Sequence, residues 1–512
     1  MINHPFNSKH LSWLLLLAVA INFFYNIHEV PLFDLDEGAF SEATREMFVR
    51  NDFSTTYLNG EPRHDKPILI YWLQAASVSI FGLNEFALRL PSALSSTLWV
   101  FGIYFFTSKL VNRETGLFAA IILASTVEVS IIAKAATADA LLNFLLAATM
   151  MMLFLYYKKQ EKRYLYLTFL FMGLGFLTKG PVALMIPFIV SFIFYFLKKR
   201  MHDWIRAVFN PIGIVIFTAT ALPWYAVQYF QEGNHFIEGF FFKHNIGRLS
   251  DPMESHGGNI LFYIPVILVG LIPYTAILFL ILKKFRVILQ NDLQLYCLIW
   301  FSFVFIFFSF SGTKLPHYII YGYTGLFILL GIYINEIRSR ALSLTPALFF
   351  FLFLALLPEI LTFAQPHIKD RYFQDALENI GVFFTLDYRL FFLACIAATI
   401  YFMIEKRITI TSKLVVCGIL TVVSISHFLT PTIANIIQSP VKEAAIITKE
   451  KDYKIVMWKL NTPSFNVYSE RLVEKRTPRP GDIVITKAYH LKGINKFEMI
   501  FEKNGIALVK IF

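Results

Sequence analysis

The sequence predicts a mainly α, polytopic membrane protein with about 13 transmembrane helices, interfacial helices in a first outer loop and a small C-terminal α/β domain. Three observations carry this. Of 512 residues, 56% are hydrophobic and only 16% charged, against about 25% charged in soluble globular chains. Apolar runs long enough to cross a bilayer recur as far as residue 432. The basic residues fall in short clusters between those runs, at alternate connections.

Taken in order, apolar runs at 11–27, 87–108, 115–133, 139–157, 164–178, 180–197, 207–227, 260–282, 294–311, 316–335, 343–363, 389–404 and 414–432 give thirteen expected spans. The run 68–82 is shorter, flanked by charges and interrupted by Gln74, and reads as a helix lying at the interface. Lys109 and Arg113; Lys158, Lys159, Lys162 and Arg163; Lys198, Lys199, Arg200 and Arg206; Lys283, Lys284 and Arg286; Arg338 and Arg340; and Lys406, Arg407 and Lys413 all fall on one side of these spans. Assigning that side to the cytoplasm puts loops 28–86, 134–138, 228–259, 312–315 and 364–388, and the tail from about 433, outside. The first run lacks a small-residue cleavage site and does not read as a removable signal peptide. Beyond Gln438, short alternating segments such as Lys454–Trp458 and Asp482–Thr486, with turn residues Pro478-Arg479-Pro480-Gly481, indicate a small α/β domain. The expected division is a membrane domain over 1–432 and a small outer domain over 433–512.

The formal net charge of +11 does not point to nucleic acid, because no basic stripe or stacking module is present. Its cations are placed as orientation signals and headgroup contacts are. Cys297, Cys395 and Cys417 all lie in apolar runs and have no metal-ligand spacing.

The polar residues near the membrane collect on the outer side. They include Asp36, Glu37, Asp65, Lys66, Asp139, Lys179, His244, Arg248, His256, Lys314, His317 and Tyr318. Ionisable groups at membrane depth are costly, so Asp139, at the mouth of the fourth span, is a functional candidate or else a helix cap. A site transferring a group from a lipid phosphate meets the same requirements. It needs fixed cations for the phosphate, which Lys66, Arg248 and Lys314 can supply, although three such cations equally suit anionic-lipid anchoring. It also needs a general base for the acceptor hydroxyl. Asp36 is the candidate, the alternative being an acidic loop that is merely solvated.

Asp36-Glu37, Glu42-Ala43-Thr44-Arg45-Glu46-Met47, Asn59-Gly60-Glu61-Pro62, Asp65-Lys66-Pro67, Tyr71-Trp72-Leu73, Phe81-Gly82 and Ala87-Leu88-Arg89-Leu90-Pro91-Ser92 together resemble the first outer loop of bacterial type C glycosyltransferases. The resemblance is to the aminoarabinose (lipid A) transferase and protein mannosyltransferase-like superfamily. Gly175–Pro181, Leu222-Pro223-Trp224-Tyr225, His256-Gly257-Gly258 and Lys314-Leu315-Pro316-His317-Tyr318 extend it over roughly residues 10–340.

The resemblance implies a GT-C enzyme of the bacterial inner membrane, with loop 28–86 catalytic and facing the periplasm. It implies a polyprenyl-phosphate (undecaprenyl-phosphate) sugar donor, a lipid or glycan acceptor such as lipid A, inversion at the anomeric carbon and no nucleotide cofactor. Residue by residue, it makes Asp36 the catalytic aspartate, with Glu37 beside it, and Asp139 the second functional aspartate. Lys66 and Arg248 become cations on the lipid phosphate and Tyr318 a phosphate contact. A divalent metal ion would be held by Asp65 and His244, with His256 as a rival ligand; a hydrogen-bonded loop histidine is the alternative for each. Thr462–Ser469 is similar to a motif of the periplasmic tails of these enzymes, and is expected to dock the tail onto the membrane domain. Two other readings remain. A protein O-mannosyltransferase-like enzyme would take a polypeptide acceptor. A lipid transporter would place polar pairs at the midplane and use both faces, whereas here the chemistry gathers at one.

Overall fold

The structure, a computed structural model, describes residues 8–247, 257–494 and 496–512, and is built mainly from helices. The first helices are α1 (Ser8–Val19), α2 (Asp36–Arg50), α3 (Leu69–Phe81), α4 (Glu85–Leu110), α5 (Arg113–Ser125), α6 (Val127–Ile132), α7 (Asp139–Lys159), α8 (Lys162–Lys179) and α9 (Val182–Leu197). Asparagine caps set several starts. The side chains of Asn84, Asn112 and Asn210 accept from Ala87, Thr115 and Gly213 N–H groups, opening α4, α5 and the helix Pro211–Glu232.

Among the described residues, seven helices are long and apolar enough to cross a membrane, or up to nine if two bent pairs each count as one span. Two further expected spans, Ser8–Phe24 and Val182–Leu197, are present as shorter apolar helices. The run 260–282 is two helices, Tyr263–Gly270 and Thr275–Lys283, bent by 114°. Pro273 lies in that break, where its missing N–H cannot continue a helix. Arg340–Ala355 and Leu357–His367 bend by 54° next to Pro358. The expected span 115–133 divides into α5 and α6 at Thr126, whose backbone is extended. The helix expected over 414–432 continues to Ile437.

Helix α3 has 13 residues, about 20 Å at 1.5 Å per residue, too short to cross the hydrocarbon. Gln74 does not interrupt it. The side chain is buried and donates to Leu88 O at 3.1 Å while accepting from Thr44 Oγ1 at 2.8 Å, fastening α3 to α2 and α4.

A large apolar cluster runs through the bundle, and its buried indoles each find an acceptor. Trp99 donates to Thr324 Oγ1 and Trp300 to Tyr321 O, both at 2.8 Å, which fixes the segment carrying Tyr321. The basic clusters meet at one end: Lys158 and Lys198 both bind Asp292, Lys284 pairs with Glu336, and Arg340 and Lys413 both reach the Glu405 carbonyl. Helix α7 runs from there to Asp139, and its 21 residues separate the two ends by about 30 Å.

The tail carries a five-stranded sheet of order β4-β3-β5-β7-β6, from β3 (Ile455–Met457), β4 (Glu474–Lys475), β5 (Ile483–Lys487), β6 (Phe497–Lys503) and β7 (Ile506–Ile511). Strand β3 is parallel to β4 and β5, and the β5-β7-β6 ladder is antiparallel. A two-stranded hairpin, β1 (Tyr57–Leu58) with β2 (Glu61–Pro62), turns at Asn59-Gly60, both with positive φ as a tight hairpin turn requires.

Candidate active site

Helix α2 opens on Asp36 and Glu37, acids that suit the positive end of a helix. From Glu37 to Met47 every residue is buried, including Glu42, Arg45 and Glu46. Such a polar helix requires partners on all sides. Arg45 grips Glu42 with two bonds of 2.7 Å, Glu46 accepts from Gly60 N–H and Arg50, and the tail adds further cover. The helix Pro463–Ser469 lies on α2, with Ser464 bonded to Asp34 and Asn466 donating to Asn59 Oδ1 at 2.8 Å. Tyr468 accepts from Leu32 N–H at 2.7 Å and donates to Glu85 at 3.0 Å. The Thr462–Ser469 motif therefore docks the tail beside the acidic segment.

Glu37 acts as a brace. Arg89 binds it with two bonds, of 2.8 and 2.6 Å, and spends its other donors on the Ile27, Val30 and Pro31 carbonyls. The Phe33 and Ala136 N–H groups complete the carboxylate. Burial works to raise the Glu37 carboxyl, but Arg89 and these amides outweigh it and hold its pKa below the ordinary value. With every lone pair committed, Glu37 is placed to hold the loop rather than to exchange protons. Asp36, by contrast, is exposed and takes no hydrogen bond or ion pair among the described residues.

Asp36, Glu37 and Asp139 line one cavity of about 400 Å³, together with Arg89, Lys134 and His317. Asp139 caps no backbone N–H. Its Oδ1 accepts from Lys179 Nζ at 2.5 Å and from Tyr321 Oη at 2.9 Å, with His317 Nε2 at 3.9 Å. Lys179 also bonds to Tyr321 Oη at 2.7 Å and lies 5.6 Å from the Tyr318 ring centre. His317 therefore faces the charges of Asp139, Lys179, Asp36 and Lys66.

Lys66 lies outside the cavity lining, bonded to Asp65 Oδ1 at 2.7 Å. The other Asp65 oxygen accepts from Arg63 at 3.1 Å. Lys314 is buried with Nζ 2.6 Å from Ser311 O. Arg248, His256 and the His244 side chain fall outside the described residues. Among the described residues no three His, Cys, Asp or Glu side chains converge as a metal ion needs, and Asp65 already gives both oxygens to cations. Two of the three expected metal ligands, His244 and His256, thus contribute no described side chain.

Sequence reasoning did not single out Arg89, Lys134 and Tyr321 as parts of this site. For the first two a signal exists: Arg89 lies in an apolar run, and Lys134 lies in a loop on the side where orientation signals are sparse. Tyr321 has no comparable signal among 24 tyrosines.

The chain is similar to known proteins in both sequence and fold. Residues 65–226 match the dolichyl-phosphate-mannose-protein mannosyltransferase family. The undecaprenyl phosphate-alpha-4-amino-4-deoxy-L-arabinose arabinosyl transferase of Yersinia enterocolitica is 31% identical over 345 residues, covering 65% of this chain and 62% of its own. An uncharacterized protein of Aquifex aeolicus is 31% identical over 324 residues, covering 63% of this chain and 73% of its own. The fold matches the crystal structure of ArnT from Cupriavidus metallidurans bound to undecaprenyl phosphate, with a TM-score of 0.79, 17% identity and 98% of both chains covered. The chain is a multi-pass membrane protein and belongs to the GT-C glycosyltransferases of the aminoarabinose transferase and protein mannosyltransferase-like superfamily.

Proposed function

We propose that this protein transfers a sugar from a polyprenyl-phosphate donor to an acceptor at the periplasmic face of the bacterial inner membrane, with inversion, and that the acceptor is lipid A or another envelope glycan. The acceptor hydroxyl gives its proton to Asp36 as its oxygen bonds to the anomeric carbon. The bond from that carbon to the phosphate oxygen breaks, and its electron pair leaves on the polyprenyl phosphate. Lys66 and Arg248 meet the charge that grows there, and Asp139 fixes Lys179 beside the reacting groups. The observation that carries this reading is Asp36 itself, a carboxylate without a hydrogen bond or ion pair among the described residues, opening onto the cavity lined by Asp139 and His317. The name of the Yersinia relative supports the donor class.

The test is reconstitution of the purified protein in nanodiscs with undecaprenyl-phosphate-linked aminoarabinose and lipid A, followed by mass spectrometry. A mass increase on lipid A that disappears with Asp36→Asn supports the proposal. The match to the mannosyltransferase family favours one second reading, a polypeptide acceptor. Glycosylated protein in place of modified lipid, in cells with and without this chain, would select it.

A further inference from the structure

Lys134 lines the cavity without a carboxylate partner among the described residues. Its side chain is buried, only 8% exposed. The ammonium donates to Tyr25 O at 3.1 Å and Ser426 Oγ at 3.2 Å, both neutral oxygens, which leaves one of its three donors over. Glu37 shares the cavity wall but is fully committed to Arg89 and two amides. Lys179, Arg89 and Lys66 each hold a carboxylate: Asp139, Glu37 and Asp65. Burying an ammonium on neutral partners alone is costly, so an anion is what completes this site. Burial and nearby Arg89 lower the Lys134 pKa to about 8, against the pull of Glu37, which raises it.

The surroundings define what carries the anion. Ile131, Leu429 and Ile433 line the cavity together with Lys134. Ile131 is 63% and Ile433 38% exposed, and Ile433 belongs to a helix, Ile410–Ile437, long and apolar enough to cross a membrane. Exposed apolar side chains thus line the same cavity as its charged groups. We propose that Lys134 is a binding residue for a phosphate carried on an apolar chain, the phosphate seated in the cavity and the chain leaving between Ile131 and Ile433. This rests on reading the cavity as a lipid-phosphate transfer site. It is separate from the Lys66 contact, which does not line the cavity. Donor and acceptor both offer a lipid phosphate, and affinities measured for each alone distinguish them.

Full-length protein in phosphatidylcholine nanodiscs is titrated with undecaprenyl phosphate and, separately, with lipid A, with bound lipid read by native mass spectrometry. Dephosphorylated forms of both lipids serve as controls. Removing a charged hydrogen bond to phosphate is expected to weaken binding by roughly 10-fold or more. Lys134→Met should do so for one of the two lipids, Lys134→Arg should retain it, and the dephosphorylated lipids should bind wild type and Met variant alike. The lipid that loses affinity is the occupant. Lys134→Gln keeps a donor for Tyr25 O and covers a methionine variant that does not fold. Unchanged affinity for both lipids, or an equal loss for the dephosphorylated ones, overturns the proposal. Because no sugar is present, a protein that transfers nothing can still show the effect, and an active protein can fail to show it.

Discussion

Ser464 of the tail donates twice to Asp34, from its hydroxyl to Oδ2 at 2.5 Å and from its backbone N–H to Oδ1 at 2.9 Å. The two segments meet so closely that a Cβ added at Gly38 would collide with Asp34 Oδ1 and stand 2.6 Å from Ser464 N. Asp36 lies between Asp34 and Gly38, so the tail helix bears directly on the turn that presents the proposed base.

Gly38→Ala is therefore a sharp test of that contact. In a helix interior alanine is normally favoured over glycine by about 1 kcal/mol. Here the methyl group must displace both the Asp34 carboxylate and the Ser464 backbone it holds, so hydrogen exchange of the β3–β7 amides should rise while sugar transfer falls. Ser464→Ala, which removes one bond and no volume conflict, should have the smaller effect on both. A variant more protected than wild type would mean that the contact accommodates a methyl group without separating the helices.

Docking should also depend on pH. Burial pushes the Asp34 carboxyl up to about 7 against its Ser464 bonds and Lys475, and burial pushes Glu42 to about 7 against Arg45. A carboxyl with a raised folded-state pKa keeps a proton that the undocked form gives up near pH 4. Its contribution is thus fully present below about pH 4 and is lost as pH rises through about 7. Protease resistance of the tail should decrease between pH 5 and pH 8, and Asp34→Asn should flatten part of that slope. Tightening with rising pH would contradict the assignment.

Adjacent Asp36 and Glu37 should fail in different ways. Asp36→Asn removes a base from an otherwise unburdened carboxylate, so turnover should fall on the order of 10² to 10⁴ with donor binding and thermal stability near normal. Glu37→Gln leaves Arg89 buried without its counter-charge, a loss of about 3–5 kcal/mol that should appear as a lowered melting temperature. If the two variants lose activity alike with stability unchanged, Glu37 takes part in the chemistry.

The two residues also show what the sequence made legible. Helix periodicity and the alternation of basic clusters were enough for the membrane architecture, because both are properties of consecutive residues. Breaks at Pro273 and Thr126 were not, because an apolar run looks the same whether its helix is straight or bent. Asp36 and Glu37 were visible as a pair, but their separate roles were not, since these depend on Arg89, 52 residues away from Glu37. The Asp139–Lys179–Tyr321 junction likewise joins residues 40 and 182 positions apart from Asp139. The Thr462–Ser469 motif stood out as a pattern, and only its contact with Asp34 and Asn59 gives it a purpose.

Topology yields a direct check. Glu61 is exposed in the β1–β2 hairpin near the cavity end, and Gln290 is exposed near Asp292 at the basic end. In intact cells a cysteine at 61 should react with an impermeant thiol reagent, and one at 290 only after the inner face is opened. The three native cysteines are buried and should stay silent. The reverse pattern would move the cavity to the cytoplasmic side.

The last prediction separates phosphate chemistry from membrane anchoring. A cation placed on a leaving phosphate stabilises charge that grows in the transition state, so its loss slows the chemical step. Lys66 is held at 2.7 Å by Asp65, is followed by Pro67, and acts on His317 in the cavity wall. Lys198 sits at the other end of the bundle on Asp292, where a surface ion pair contributes about 1 kcal/mol or less. Lys66→Ala and Arg248→Ala should each cut transfer severely in folded, membrane-inserted protein, while Lys198→Ala should leave it near wild type. Lys179→Ala removes the principal partner of the buried Asp139 carboxylate and should cost stability as well as rate, so it is read alongside a melting curve. Equal, small effects for Lys66, Arg248 and Lys198 would make the first two headgroup anchors and move the leaving phosphate elsewhere in the site.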